Sequence, residues 1–419
     1  MVKCPYAKRG GFTVENSNDK KRVNGFIFLF MMTYMVSYIT RINFAAIISE
    51  IVAKTGWERT ALSLSLTGIF VTYGLGQLVS GYFGDRFQPK KLVFLGLLVS
   101  CVMNVLIPFC TAPYQMVIVW CVNGFAQAMM WPPIVKLMVA LFSAEDYARA
   151  CIRVSWGSSF GTIFVYCAAP VALSFIGWKS VFFISAACGL VMAFIWNKFC
   201  CNIDNISVRP HGQDSVPKTK FFSPLLVAIM IAIVLQGSLR DGVTDWMPSY
   251  IADTFHMENS IAILSCVLLP IFSIICYSLA GKIYRRMPNN PIVCAGFIFG
   301  VGAIAAAVLY FFNGVNAALS ILMSALLTGS MHGVNLMLIS YVPAFFKNTG
   351  RVSMVSGLLN SCTYVGSAVS VYGFAAISES AGGWSATVLI WLLVAVVGTA
   401  GCLFTSPFWK KFVAKNVEA

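Results

Sequence analysis

The stretch GFIFLFMMTYMVSYITRINFAAIISE, residues 25–50, decides the fold class of this chain. Before the acidic Glu50 it contains one charged residue, Arg41. About 20 mostly apolar residues suffice to cross the hydrocarbon core of a bilayer, so this stretch is long enough to span a membrane. It is also longer than the short apolar core of a cleaved signal peptide. We therefore interpret it as a retained first transmembrane helix.

The composition of the whole chain agrees with a membrane protein. Of the 419 residues, 58% are hydrophobic and 11% are charged, whereas about 25% of the residues in an average soluble protein are charged. A soluble globule with so few charges could not cover its surface, which excludes a soluble enzyme and a disordered chain. The 14 Cys lie mostly in apolar segments without metal-ligand spacing. We expect no metal site, no cofactor and no catalytic residue.

Twelve apolar segments of spanning length follow one another along the chain. They are residues 25–50, 60–83, 92–112, 115–142, 151–175, 180–200, 223–250, 260–281, 291–312, 316–345, 352–378 and 385–408. An even number of spans places both termini on the same side of the membrane. The predicted fold class is an all-α integral membrane protein of twelve transmembrane helices.

The net charge of +14 is explained by membrane topology. Most of the 29 Lys and Arg residues fall on the side that holds both termini and the central loop. On the other side we find Lys54, Arg59 and Lys179. Because cytoplasmic loops carry the excess of Lys and Arg, both termini are predicted to be cytoplasmic. Nucleic-acid binding is not needed to explain the charge.

The two halves of the chain resemble each other. Arg41 recurs as Arg240, Gly81 as Gly281, Arg149 as Arg351, and the pair Gly177–Trp178 as Gly383–Trp384, in order and at nearly constant spacing. Two six-helix repeats are common among secondary transporters. The predicted divisions are a cytoplasmic tail (1–24), an N-terminal bundle (25–200), a cytoplasmic central loop (201–221), a C-terminal bundle (222–408) and a cytoplasmic tail (409–419).

Four motifs resemble a known family. GYFGDRFQPKK (81–91) is similar to the loop signature of the major facilitator superfamily, in the variant of its organophosphate:inorganic phosphate antiporters. YITRINFA (38–45), NGFAQAMMWPP (123–133) and LRDGVTDWMPSYI (239–251) are similar to the same subfamily. The resemblance implies the two-bundle major facilitator fold, alternating access, and exchange of a glycerol phosphate or sugar phosphate for inorganic phosphate. It also implies a multi-pass monomer in the plasma (inner) membrane.

Two alternatives remain open. The sequence has Gln77 where that subfamily has a lysine, and Ser158, Ser159 or Phe160 where its glycerol-3-phosphate branch has a histidine. These departures favour a proton-coupled symporter of a carboxylate, such as a sugar acid. The other alternative is a non-transporting receptor for a sugar phosphate. The absence of a Walker A motif argues against ATP hydrolysis as the energy source.

Arg41 and Arg240 are the predicted anion-binding residues. An arginine in mid-membrane is costly, so each should face the interior of the bundle rather than lipid. Two guanidinium groups can bind phosphate or carboxylate through paired hydrogen bonds. The alternative is that each arginine forms a buried salt bridge. Because adjacent residues on a helix point about 100° apart, we expect Asp241 not to mask Arg240 directly.

Other polar residues in the spans complete the predicted site. Asp241 and Asp245 are candidates for proton coupling or charge balance, and the further substrate-binding candidates are Tyr38, Gln77, His332, Tyr364 and Asn360. Polar residues in spans mostly face the bundle interior, although ordinary packing explains several of them equally well.

The cytoplasmic ends of the second and fourth spans hold the candidate gate residues Asp85, Arg86 and Lys136. We also expect Trp131-Pro132-Pro133 to kink the fourth span, since proline cannot donate the helical hydrogen bond.

Overall fold

The computed structural model describes residues 17–200, 223–257, 267–287, 290–349, 351–378 and 382–417. The predicted central loop (201–221) and most of the N-terminal tail lie outside these ranges. The long helices are α1 (Ser17–Thr55), α2 (Arg59–Arg86), α3 (Pro89–Leu106), α4a (Pro113–Ala128), α4b (Trp131–Leu141), α5 (Ala144–Phe175), α6 (Trp178–Phe199), α7 (Pro224–Phe255), α8 (Leu268–Arg286), α9 (Pro291–Phe311), α10 (Ala317–Asn335), α11 (Val352–Ser378) and α12 (Gly383–Val417).

The predicted all-α fold class is confirmed, since the described ranges contain helices and connecting turns but no strand. Each of the twelve predicted spans overlaps one helix or, for the fourth, the pair α4a and α4b. In the tenth span, α10 is followed by a π-helix (Leu336–Tyr341) and a 3-10 helix (Val342–Thr349). Residues 260–266 of the eighth span lie outside the described ranges. Ten of the described helical segments are long and apolar enough to cross a membrane. The other two spans are α2 and α11, which are rich in Ser, Thr and Gly.

Side-chain caps determine where several helices begin. Ser143, Ser223, Asn290 and Asn316 each precede a helix and accept a hydrogen bond from the backbone N–H three residues later, over 3.0–3.2 Å. These N–H groups have no partner within the helix, so the cap satisfies a donor that would otherwise be left unpaired.

A proline break divides the fourth span, as the Trp131-Pro132-Pro133 motif predicts. Helix α4a ends at Ala128, and α4b starts at Trp131. Pro132 has no N–H to donate to the carbonyl of Ala128, four residues earlier. The side chain of Gln77 on α2 donates from Nε2 to that carbonyl over 3.3 Å and replaces the missing donor.

The chain divides into two compact units. Unit 1 comprises Met1–Val216 and Phe346–Ser361, and unit 2 comprises Pro217–Phe345 and Cys362–Ala419. Helix α11 therefore contributes its first residues to unit 1 and the remainder to unit 2. The predicted bundle boundaries stay a prediction.

One conformational feature recurs in both units and agrees with the predicted sequence repeat. Gly177 precedes α6 in unit 1 with a backbone φ of 103°, and Gly383 begins α12 in unit 2 with a φ of 52°. A tryptophan follows each glycine. Positive φ values favour glycine because it has no Cβ. The Gly-Trp pairs thus mark equivalent helix starts.

Unit 1 has an aromatic core and close helix crossings. The rings of Phe44, Trp120 and Phe182 pack together at centroid distances of 5.1–6.0 Å. Where α2 crosses the start of α11, a Cβ on Gly81 would lie 2.9 Å from the carbonyl oxygen of Ser353. Small residues of this kind allow helix backbones to approach closely in membranes.

Candidate functional site

Arg41 lies in α1 of unit 1, beside two tyrosine rings. Its guanidinium carbon is 4.1 Å from the ring centre of Tyr38 and 4.8 Å from that of Tyr73 on α2. Arg41 and Tyr38 are half-buried, and Tyr73 is 3% exposed. Both distances are within the range of cation–π attraction, which orients a guanidinium without neutralising its charge. Arg41 is therefore held in a way that is compatible with binding an anion.

A buried polar network holds the residue before Arg41. The backbone carbonyl of Thr40 accepts hydrogen bonds from Nδ2 of Asn104 on α3, at 3.0 Å, and Nδ2 of Asn123 on α4a, at 3.1 Å. Its hydroxyl accepts from Nε2 of Gln127 at 2.8 Å. Side chains from two neighbouring helices thus converge on one residue of α1 and restrict its position.

Further hydrogen bonds join these side chains to one another. Nε2 of Gln127 also donates to Oγ of Ser100 at 2.7 Å, and that hydroxyl donates to Oδ1 of Asn123 at 2.7 Å. Nδ2 of Asn43 donates to Oδ1 of Asn104 at 2.7 Å. All of these side chains are buried. Buried polar groups that satisfy one another favour a single arrangement of their helices.

Arg240 in unit 2 forms a two-point ion pair with its neighbour Asp241. Nε donates to Oδ1 at 2.6 Å, and Nη2 donates to Oδ2 at 2.7 Å. The expectation that Asp241 would not mask Arg240 is therefore wrong. The 100° separation applies to the directions of the Cβ atoms, whereas the long arginine side chain can bend back to an adjacent carboxylate.

The hydroxyl of Ser367 on α11 donates to Oδ2 of Asp241, which holds the carboxylate from a second helix. Asp245, four residues further along α7, is exposed. Of the two candidate acids, Asp241 balances the charge of Arg240. No group of three or more His, Cys, Asp or Glu that could hold a metal ion was found among the described residues.

The remaining substrate-binding candidates lie on α10 and α11. Nδ1 of His332 is 2.9 Å from the carbonyl oxygen of Thr328, one turn earlier, and its ring packs edge-on against Tyr277 at 5.7 Å. Tyr364 is half-buried. Asn360, which falls in the part of α11 that belongs to unit 1, is 7% exposed.

Asp85, one of the candidate gate residues of unit 1, contacts the start of α11. The carboxylate of Asp85 accepts from the backbone N–H groups of Ser353, at 3.0 Å, and Met354, at 2.8 Å. Helix N-termini have unpaired N–H groups and a partial positive charge, so a carboxylate is favoured there. Asp85 thus caps α11 from α2.

Lys136 contacts Asp85 from α4b. Its Nζ donates to the carbonyls of Gly84, at 2.9 Å, and Asp85, at 3.1 Å, and lies 3.8 Å from the Asp85 carboxylate. Arg86 is exposed and stacks on the ring of Tyr82 at 3.5 Å, apart from the contact between Asp85 and Lys136. Two of the three predicted gate residues therefore contact each other.

Sequence reasoning missed three residues that contact the candidate arginines, their counter-ion or His332. Tyr73 lies four residues before Gln77, so the same face of α2 carries both, and this spacing could have identified it. Ser367 and Tyr277 gave no comparable signal, because their roles depend on contacts between helices distant in sequence.

Comparison with known proteins relates the chain to one superfamily of membrane proteins. The sequence pattern of the Major Facilitator Superfamily matches residues 30–371. The "Probable hexose phosphate transport protein" of Chlamydia trachomatis is 21% identical over 87% of this chain and 87% of its own length. The glycerol-3-phosphate transporter of Bacillus subtilis is 25% identical over 70% of this chain and 71% of its own. The membrane sensor protein UhpC of Escherichia coli is 24% identical over 65% and 68%.

Solved structures show the same fold at low sequence identity. The proton:xylose symporter XylE superposes with a TM-score of 0.71 and 12% identity, covering 94% of this chain and 96% of its own. The Escherichia coli fucose:proton symporter FucP gives a TM-score of 0.72 and 12% identity, covering 92% and 99%. At 12% sequence identity, these similarities establish the fold alone.

Proposed function

Because the chain belongs to the Major Facilitator Superfamily, a family of membrane transporters and not of enzymes, we propose that it carries a small phosphate ester across the membrane. The ester is of the sugar phosphate or glycerol phosphate type, and it is exchanged for inorganic phosphate. The relatives named for hexose phosphate and glycerol 3-phosphate support this substrate class. Arg41 and Arg240 both bind the anion.

The observation that carries the proposal is the surroundings of the two arginines. Tyr38 and Tyr73 hold Arg41 through their rings, and a ring contact leaves the guanidinium positively charged. Arg240 already binds a carboxylate through two parallel hydrogen bonds. Guanidinium groups bind phosphate oxygens in the same paired geometry. A phosphate group is thus suited to both positions.

Asp241 has a defined part in this proposal. When no substrate is bound, its carboxylate neutralises Arg240 and orients the guanidinium. An incoming phosphate takes over the paired hydrogen bonds, and Asp241 retains its bond from Ser367. Substrate release re-forms the internal ion pair, so the free protein does not carry an uncompensated buried charge.

Transport follows from alternating access of the site to the two sides of the membrane. Both termini and the central loop are cytoplasmic in this proposal, and the protein acts as a monomer in the plasma membrane. Asp85 and Lys136 stabilise one conformation by holding α2 and α4b to the start of α11. Tyr38, His332, Asn360 and Tyr364 contribute to substrate selection, whereas Gln77 is buried and supports the break between α4a and α4b.

Exchange in proteoliposomes tests the proposal. Vesicles loaded with inorganic phosphate should take up labelled glucose 6-phosphate or glycerol 3-phosphate, and vesicles without internal phosphate should not. Arg41→Ala and Arg240→Ala should abolish uptake, whereas Lys54→Gln, which removes an exposed cation, should leave it unchanged.

The same assay distinguishes the alternatives. Uptake of gluconate that depends on a proton gradient, without phosphate exchange, would identify a carboxylate symporter. Tight binding of a sugar phosphate without any flux would identify a receptor, and the sensor protein among the relatives makes this a necessary control. Normal exchange in either arginine variant would refute the two-arginine site.

A further inference from the structure

A cavity on unit 1 lies outside the proposed transport site. It is formed by the N-terminal half of α1 and the last turns of α6, and its volume is about 330 Å³. This volume is at the lower end of the roughly 300–1,000 Å³ that is usual for small-molecule sites. The cavity is lined by Arg22, Gly25, Phe26, Phe28, Leu29, Met32, Met192, Ile195 and Phe199.

The lining divides into an apolar body and one cationic end. The lining residues that follow Gly25 in sequence have aliphatic, aromatic or thioether side chains. One of them, Phe28, is 58% exposed. Arg22, at the amino-terminal end of the lining, is the one charged residue. A water-soluble anion would gain nothing from this apolar body, whereas a molecule with a charged head and a hydrocarbon tail matches both parts.

More cations lie around the same end. Lys20 and Lys21 precede Arg22 on α1 and are exposed, and Lys198 is exposed on the last turn of α6. The packing of Phe30 on Trp196, with ring centres 5.7 Å apart, shows that these two helix ends lie together. Basic pockets between transmembrane helices suit anionic lipid head groups.

From this charge distribution we infer that the groove between α1 and α6 is a binding site for one anionic phospholipid of the surrounding leaflet. The phosphate of the lipid contacts Arg22, with Lys21 and Lys198 beside it. An acyl chain lies along Phe26, Leu29 and Met192. Gly25 has no side chain, so the acyl chain passes it between the head group at Arg22 and the apolar part of the groove.

Two substitutions test the charged end and the apolar groove of the site separately. Arg22→Gln removes the charge at the head and leaves the apolar groove. Gly25→Leu fills the groove, on an exposed position of α1, and leaves the charge. Lys91→Gln is the matched control, because it removes an exposed cation of unit 1 that does not line the cavity.

The experiment measures retained lipid and thermal stability of the full-length protein in detergent. Dioleoyl-phosphatidylglycerol and dioleoyl-phosphatidylcholine are compared, since they share acyl chains and differ in charge. Native mass spectrometry should show one phosphatidylglycerol retained in preference to phosphatidylcholine by wild type and Lys91→Gln. The preference should be lost in Arg22→Gln, and retention of either lipid should fall in Gly25→Leu.

Three results would overturn the inference. The first is an undiminished preference for phosphatidylglycerol in Arg22→Gln. The second is an equal loss in Lys91→Gln, which would indicate general surface charge. The third is lipid retention that begins only after residues 1–16 are deleted, which would mean that this N-terminal segment, and not a lipid, occupies the groove. Thermal shifts identify unfolded variants, and a conservative Arg22→Lys change should restore part of the preference.

Discussion

At the scale of single residues, Arg41 contacts two aromatic rings and Arg240 a carboxylate, although the sequence repeat relates the two arginines. Arg41 is oriented by the rings of Tyr38 and Tyr73, and Arg240 by the carboxylate of Asp241. Rings leave the positive charge of an arginine in place, whereas a carboxylate neutralises it. Under the proposed function, the substrate and Asp241 compete for Arg240.

This competition leads to a prediction for Asp241→Asn. The amide can still accept the hydrogen bond from Ser367, but it no longer neutralises Arg240. The free protein should lose stability, by about 3–5 kcal/mol if the arginine is left fully uncompensated. Glucose 6-phosphate should then raise the melting temperature by more than it does in wild type, because the ligand supplies the missing charge.

Thermal unfolding with and without ligand measures both effects. Asp253→Asn is the matched control, since it removes an equal charge at an exposed position on the same helix, more than three turns away from Arg240. It should change the ligand-induced shift less than Asp241→Asn does. A shift in Asp241→Asn no larger than that of wild type would show that substrate and carboxylate do not compete for Arg240.

At the scale of helices, the hydrogen-bond network around Thr40 connects α1 to α3 and α4a. The Asn104 side chain makes three hydrogen bonds in this network: it donates to the carbonyls of Thr40 and Ser100 and accepts from Asn43. Asn104→Leu should cost about 1–3 kcal/mol of stability, since it leaves buried polar groups unpaired. It should also weaken phosphate-ester binding, because Arg41 follows Thr40 directly.

Denaturation and ligand affinity measured on the same samples test this prediction. Ser185→Ala provides the control, since the Ser185 hydroxyl is buried in unit 1 but bonds only within its own helix, to the carbonyl of Val181. It should change neither quantity strongly. If Asn104→Leu lowers stability and leaves affinity unchanged, the network supports the bundle without positioning Arg41.

Helix positions were accessible from the sequence, and helix contacts were not. The length of each apolar segment predicted all twelve spans, and Trp131-Pro132-Pro133 predicted the break in the fourth. Gln77 was predicted as a substrate residue, and in the structure it donates to the carbonyl that Pro132 leaves unpaired. That bond depends on which face of α2 packs on α4a, which the hydropathy of either helix does not determine.

At the scale of the whole molecule, the sequence repeat was the strongest indicator of architecture. A glycine with positive φ precedes α6 and another begins α12, so the repeat extends to backbone conformation. The two-point pairing of Arg240 with Asp241 could not be predicted in the same way. It depends on the rotamers of two flexible side chains, and spacing along a helix constrains only where those side chains begin.

The central proposal is that Arg41 and Arg240 both contribute to the binding of a phosphate ester. Equilibrium binding of glucose 6-phosphate to the purified protein, with glucose as the neutral control, tests it most directly. Replacing a buried charge partner costs about 2–5 kcal/mol, and about 1.4 kcal/mol corresponds to a tenfold change in Kd. Arg41→Gln and Arg240→Gln should each weaken binding by at least about tenfold, and glucose should bind none of the proteins measurably. Wild-type affinity for glucose 6-phosphate in either variant would contradict this proposal.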